Sequence, residues 1–297
     1  MRIIAIILTY NEEIHLERCL QNIKDFFDEV YIIDSYSEDK TKKIAIKQNV
    51  KFLENKFINH ANQFNWALSQ IDQNVDWIFR IDADEIISED LKNEILLKLP
   101  KLDKSIKGIY INRYIVFQGK LLKYGGIFPN KVIRIFKKGY GYYKNKWMDE
   151  RLTINGSIVS FDSKIIDNNL KPLKWWIKKH NIYSNKEALE LIKNCYLSPK
   201  LETLDKKNKL NIQTFNIKRI YLKLPLFIRP ILYFIYRYFI RLGFLDGYQG
   251  LCFHFLQGLW YRFLVDAKYR EFIIQVKKNQ DPIITIKNIL GIDFKEE

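Results

Sequence analysis

A chain of 297 residues can bury a substantial core, as one large domain or two smaller ones. With 47% hydrophobic and 28% charged residues, its composition excludes an intrinsically disordered chain. A formal net charge of +15 points to an anionic partner, and charge alone does not separate nucleic acid, a phospholipid surface and a phosphorylated substrate.

In chain order, Ile3–Thr9 is a continuous apolar, β-branched run, as a parallel strand covered on both faces must be. It is too short for a secretory signal and lacks a small-residue cleavage site, so the expected location is the cytoplasm. Leu16, Cys19, Leu20, Ile23 and Phe27 follow at spacings of three and four, the helical period. The pattern then predicts strands at Val30–Asp34, Lys51–Leu53 and Trp77–Ile81. Helices are predicted at Lys40–Gln48, His60–Gln70 and Glu89–Leu99, the last stopping at Pro100. Strands alternating with helices predict an α/β fold with a doubly wound, mostly parallel sheet. From Lys107 to Ile165 the helical period fades, with strands expected at Ile109–Phe117, Lys131–Phe136 and Ser157–Phe161. Asn181–Lys193 reads as a helix and Ser198–Ile217, polar and Lys-rich, as a linker.

These patterns predict a catalytic domain over 1–200, with a nucleotide-binding half (1–100) and an acceptor half (101–200). A helical, membrane-associating region is expected over 201–297. Leu222–Leu242 and Gly247–Ala267 mix Phe, Tyr, Leu and Ile with dispersed arginines. On a helix, Lys223, Arg229, Arg237 and Arg241 share a face opposite Leu232, Ile235, Phe239 and Leu242. The expectation is an amphipathic helix lying in the headgroup layer of an anionic membrane, with a packed helical subdomain as the alternative. Cys19, Cys195 and Cys252 lack metal-ligand spacing and read as reduced structural thiols. His15, His60 and His254 lack partner spacing and read as packing residues, as does His180, for which the neighbouring Trp175-Trp176 pair leaves an acceptor- or membrane-facing place as the alternative.

The chemistry gathers at strand ends. In such sheets ligands bind beyond the carboxyl ends of the strands, so Thr9–Glu13, Asp34–Thr41 and Asp82–Glu85 should meet in one crevice. Asp82-Ala83-Asp84 follows a buried strand, and two carboxylates on alternate residues can share Mn²⁺ or Mg²⁺ with a diphosphate. The Asp34–Thr41 segment carries more hydroxyls and carboxylates than one helix cap needs, a surplus suited to a nucleoside.

Together Ile4–Glu13, Asp34–Thr41 and Arg80–Glu85 resemble the family 2 inverting glycosyltransferases of GT-A fold. Asn65-Trp66-Ala67-Leu68, Tyr124-Gly125-Gly126, Arg134-Ile135-Phe136, Tyr183–Ala188 and Gly243–Gly247 extend the resemblance to bacterial enzymes that build the inner core of lipopolysaccharide or lipooligosaccharide. The resemblance implies transfer of a hexose from a nucleotide sugar, a UDP-sugar foremost. The implied acceptor is a lipid-linked saccharide of the lipopolysaccharide or lipooligosaccharide core or of capsule, met at the inner face of the cell membrane. It places Thr9, Tyr10, Asn11, Glu12, Asp34, Ser35, Asp39, Arg80 and Asp82 at the nucleotide sugar, and Asp84 with Asp82 at the metal. Gly125, Gly126 and Arg134 fall on the acceptor side. Met148-Asp149-Glu150 matches the position of the catalytic base, with Glu150 as the base and Asp149, where relatives often carry His, as the second candidate. No third protein ligand for the metal is expected near Ile165–Asn169.

Two other classes fit the sequence less well. A sugar nucleotidyltransferase usually carries a Gly-rich basic loop after the first strand, whereas Thr9-Tyr10-Asn11-Glu12-Glu13 is acidic and lacks glycine. A non-enzymatic binder of an anionic partner such as nucleic acid would show a basic stripe with base-reading or stacking motifs, but the aromatics here cluster with apolar neighbours. No nucleic-acid partner is expected.

Overall fold

The computed structural model describes residues 1–72, 74–128, 130–144, 152–197 and 220–292. The chain forms two units, one of Met1–Lys123 with Ile127–Lys171, the other of Tyr124–Gly126 with Pro172–Glu297.

The first unit begins β1 (Ile3–Thr9), α1 (Glu13–Ile23), β2 (Glu29–Asp34), α2 (Thr41–Lys47), β3 (Lys51–Glu54), α3 (His60–Ser69) and β4 (Trp77–Asp82). Then come β5 (Glu85–Ile87), α4 (Glu89–Lys98), β6 (Ile106–Phe117), β7 (Lys120–Leu122), β8 (Asn130–Lys137), β9 (Gly141–Tyr143), β10 (Leu152–Ile154) and β11 (Ser157–Asn168). The main sheet runs β3-β2-β1-β4-β8-β6-β11-β5, with β7 beside β6. β3, β2, β1 and β4 are mutually parallel, as the alternating strand and helix pattern predicted. β8 then reverses direction against β4, and β9 pairs with β10 in a separate small sheet.

β1 is central, and both its faces are covered. Ala5 and Ile7 pack on one side with Leu16, Cys19, Leu20 and Ile23 of α1 and with Phe79 and Ile81. Ile4 and Ile6 point the other way, into Ala61, Phe64 and Ala67 of α3 and Phe136. Alternation along a strand thus feeds two cores from one apolar run. Asn59 and Ser88 start α3 and α4 by accepting backbone N–H groups of Asn62 and Leu91. Glu94, on α4, accepts from the backbone N–H groups of Asp162 and Ser163. Those two residues lie where the β11 register against β6 shifts, so a carboxylate satisfies amides that the ladder leaves unpaired.

The second unit is helical: α5 (Leu173–Ile192), α6 (Ile228–Ile235), α7 (Gly247–Phe253), α8 (Tyr261–Lys277) and α9 (Pro282–Leu290). π-helical turns at Lys193–Leu197, Tyr236–Ile240 and His254–Trp260 extend α5, α6 and α7. Ala188, Leu189 and Ile192 of α5 pack with Val265, Phe272 and Ile286 in its core. That packing draws α5 into the helical unit, which takes up the chain from Pro172. α5 also starts earlier than the expected Asn181, directly after Pro172. The expected linker at Ser198–Ile217 lies outside the described residues.

The expected basic face is not presented. Arg229 is 3% exposed and Arg237 6%, whereas Leu232, Ile235, Phe239 and Leu242 are all exposed. The physical reason lies inside the unit. Arg229 Nε meets Asp266 Oδ1 at 2.9 Å, and Arg237 donates to the Gly125 carbonyl and Gln257. Among the described residues no helix is long and apolar enough to cross a membrane.

Candidate donor site

The parallel register places the expected clusters at the same end of the sheet. Thr9 is the partner of Asp34, and Leu8 of Asp82, so the loops after β1, β2 and β4 leave the sheet side by side. Asp34 is fully buried; it accepts from Thr9 Oγ1 at 2.7 Å, Ser37 Oγ at 2.6 Å and Ser37 N at 2.6 Å. Its carboxylate therefore organises the loops from beneath.

Above it, the two loops are laced residue by residue. Asn11 N donates to Ser37 Oγ, and Asn11 Oδ1 accepts from Glu38 N. Glu12 N donates to Thr41 Oγ1, and Glu13 N to Asp39 Oδ2. Asn11 and Tyr36 take left-handed backbone (φ 53° and 61°), routine for Asn and uncommon for Tyr. Tyr10 and Tyr36 are left exposed at the rim. An open groove of about 420 Å³ lies here, lined by Asn11, Glu13, Ile14, Glu38, Asp39 and Lys171. Burial opposes ionisation of Asp39, but hydrogen bonds from Thr41 and the Glu13 amide outweigh it and hold the carboxyl below the usual range.

The β4 end carries a denser charge network. Asp82 Oδ1 accepts from Arg80 Nη2 at 3.0 Å, and Asp82 Oδ2 from Arg134 Nη2 at 2.7 Å. Burial works against the Asp82 charge, yet the two guanidiniums keep its carboxyl far below the usual range. Arg134 also pairs with the buried Glu85. Glu85 is pushed up to about 7 by burial and by the neighbouring Asp82 charge, against the pull of Arg134. Arg80 is held on three further sides: by the Tyr143 hydroxyl, by His60 Nε2 at 3.0 Å and over the Phe64 ring. Arg134, expected on the acceptor side, is 3% exposed and ion-paired with both Asp82 and Glu85.

Asp84 is differently placed. Its Oδ2 accepts from Asn169 Nδ2 at 2.8 Å and its carbonyl from Asn168 N at 2.9 Å. Asp167, paired with Glu85 across β11 and β5, is raised to about 6 by burial and then by the Asp84 charge. The donor set is hard oxygen, as Mn²⁺ or Mg²⁺ require, and of Asp82, Asp84 and Glu85 it is Asp84 that has no arginine ion pair among the described residues. Among the described residues no group of three His, Cys, Asp or Glu side chains forms a cage, so such an ion fits with phosphate oxygens completing its shell.

Several contributors were not singled out from the sequence. His15 Nε2 accepts the Leu170 amide at 2.8 Å, so its ring proton sits on Nδ1, which faces Glu12 Oε2 at 2.6 Å. Lys171 Nζ donates to Glu12 Oε1 at 2.7 Å and the Asn11 carbonyl at 3.0 Å. Burial opposes the charge on Glu12, but His15 and Lys171 more than offset it and lower its pKa. The first loop is thus braced from the far end of the unit, a partnership across more than 150 residues that no local spacing announces. Asp149 and Glu150 lie outside the described residues. Gly125 and Gly126 belong to the helical unit, where the Gly125 amide donates to the Arg241 carbonyl at 2.8 Å.

A parallel sheet whose strand ends carry a laced acidic loop pair and an Asp-x-Asp turn defines a GT-A-type α/β fold. The family model described as glycosyl transferase family 2 matches residues 4–168, and the chain belongs to that family. It is a glycosyltransferase. An uncharacterized glycosyltransferase of Rickettsia bellii is 29% identical over 92% of this chain and 88% of its own length. The SPbeta prophage-derived glycosyltransferase SunS of Bacillus subtilis is 29% identical over 62% of this chain and 44% of its own. Among solved structures, residues 1–349 of S. aureus TarS align over 98% of this chain and 90% of that one, at TM-score 0.46 and 15% identity. Glucosyl-3-phosphoglycerate synthase from Mycobacterium tuberculosis, solved with Mn²⁺ and UDP, aligns over 39% of this chain and 44% of that one, at TM-score 0.32 and 19% identity.

Proposed function

We propose that this glycosyltransferase is an inverting, metal-dependent hexosyltransferase that uses a UDP-sugar donor and a lipid-linked saccharide acceptor. On this reading it serves cell-surface polysaccharide synthesis, lipopolysaccharide or lipooligosaccharide core or capsule, at the inner face of the cell membrane. The observation that supports the donor assignment is that the loop bearing Asp39 and the Asp82–Asp84 turn leave the carboxyl ends of β2 and β4, the two parallel strands that flank β1.

In this mechanism Asp39, kept ionised by its hydrogen bonds, accepts the imide N–H of the base. Arg80, fixed by Asp82, Tyr143 and His60, presents its guanidinium toward the diphosphate without having to reorganise. Asp84 would hold Mn²⁺ or Mg²⁺ beside the diphosphate, where a bound ion supplies Lewis-acid charge neutralisation of the leaving group. Glu150 takes the proton of the acceptor hydroxyl, with Asp149 as the second candidate. The acceptor oxygen then attacks the anomeric carbon from the side opposite the diphosphate, and the configuration inverts.

Release of UDP from a panel of UDP-hexoses in the presence of Mn²⁺ tests this reading. It predicts turnover by the native chain, and loss of transfer with retained UDP binding for Glu150→Gln. Undiminished turnover in both Asp84→Ala and Glu150→Gln contradicts it.

A further inference from the structure

Residues 228–240 are built inside out. Ile228, Ile231, Leu232, Ile235, Phe239 and Ile240 recur at helical spacings and all face outward, Phe239 at 55% exposure and Ile240 at 67%. Arg229 and Arg237, on the same helix, face inward. A helix on a water-facing surface does the reverse, turning its apolar stripe to the core. Nor are the arginines stranded. Arg229 is paired with Asp266, and Arg237 with the Gly125 carbonyl and Gln257. The unit supplies polar partners inside and so keeps the outer surface apolar. The outward apolar surface continues through Phe244 and Tyr248.

From this we propose that the outward stripe of Ile228–Ile240 is a bilayer-insertion surface, seated at the boundary between headgroups and acyl chains. A contiguous exposed apolar patch marks an interaction site, and the charge pattern selects the partner. Between residues 220 and 256 the only acidic residue is Asp246, which is 2% exposed and accepts from the Tyr124 amide. The exposed charges flanking the stripe are cations, Lys223 and Arg241. Anionic headgroups complement that border, whereas a second copy of this chain would bring cation against cation. With no helix among the described residues able to cross, the stripe lies in the interface and does not span. Apolar burial is then the main attraction, with charge as a supplement. This inference deepens the lipid-linked acceptor reading, but vesicle binding is measured without donor, metal or transfer, so either can fail alone.

Co-sedimentation of the full-length protein with vesicles of phosphatidylcholine, and of phosphatidylcholine with phosphatidylglycerol, tests the proposal. Each is run at low salt and at about 0.5 M salt, where surface charges more than a few ångströms apart are screened. The expected result is binding to both vesicle types, strengthened by phosphatidylglycerol and retained in high salt. Ile235→Ser with Phe239→Ser should weaken partition by roughly ten-fold or more per residue, with an unchanged melting temperature because both side chains are exposed in the native state. Lys223→Gln with Arg241→Gln should remove only the phosphatidylglycerol increment. As a second readout, Phe239→Trp fluorescence should be quenched by acyl-brominated lipid. Binding confined to phosphatidylglycerol vesicles and released by salt would overturn the proposal, as would no vesicle binding at all. So would a concentration-dependent dimer that the two serines dissociate, since the stripe would then serve a second copy.

Discussion

Thr9 Oγ1 donates to Asp34 Oδ2 at 2.7 Å, and the two residues are register partners at the carboxyl ends of β1 and β2. A hydroxyl and a carboxylate, both buried, thereby lock the floor on which the two donor loops stand. Asp34→Asn would turn an amide donor toward Thr9 and Ser37, which already donate, and leave polar groups buried without partners. A loss of about 1–3 kcal/mol is expected, measured by denaturant unfolding, together with weaker UDP binding. Thr9→Val should cost about 1 kcal/mol. A fully stable Asp34→Asn protein with native UDP affinity would show that the floor is dispensable.

Arg134 is the counter-charge for Asp82 and for Glu85. Arg134→Met leaves Asp82 with Arg80 as its ion-pair partner and removes the ion pair of Glu85. The expected loss is about 3–5 kcal/mol of stability, and Arg134→Lys, whose shorter side chain places its ammonium less well between the two carboxylates, should recover only part of it. Thermal melting of the two variants reads the difference; equal melting temperatures for native and Arg134→Met protein would rule this role out.

Gly125 has φ +76°, and a Cβ there would lie 1.9 Å from His254 Cε1. Gly125→Ala is both strained and blocked, so the Tyr124–Gly126 segment should come away from its seat on Arg237, Arg241 and Asp246. A cost of about 2–4 kcal/mol follows. Gly139→Ala is the control: it has φ +82° but nothing within 4 Å of the added carbon, so only the strain remains.

His254 is fully buried, and neither ring nitrogen has a hydrogen-bond partner among the described residues. Burial, and then the neighbouring Arg237 charge, push its pKa down to about 4. The unfolded chain takes up this proton near pH 6.5 and the folded one only near pH 4. The contribution to stability is therefore complete above about pH 6.5 and is lost as pH falls toward 4, on the order of 3 kcal/mol in all. Unfolding free energies between pH 7 and 4 should be flatter for His254→Leu than for the native chain; parallel curves would exclude His254 as the source.

Much of the first unit was legible because β1 and β4 must be apolar on both faces, and α1 carries its buried residues at helical spacing. The same patterns located the strand ends, and with them Asp34, Asp39 and Asp82–Asp84. What stayed hidden depends on distant partners. Nothing local marks Lys171 and His15 as braces of the first loop, or Arg134 as the charge beneath Asp82. β5 has no pattern of its own in the sequence, because it is three residues long and is a strand only through its pairing with β11. The arginines of Ile228–Ile240 misled most. Helical spacing showed two faces correctly, but only Asp266 on α8 and Gln257 on the turn that extends α7 decide that the basic one turns inward.

Calorimetric titration of UDP into the full-length protein, with Mn²⁺ and then with a chelator, tests the donor site most directly. The account predicts saturable UDP binding that weakens at least about ten-fold, or 1.4 kcal/mol, when the metal is removed, and an Asp84→Ala protein whose affinity no longer responds to Mn²⁺. Identical UDP affinity with and without metal, or no binding by protein shown to be folded, would contradict it.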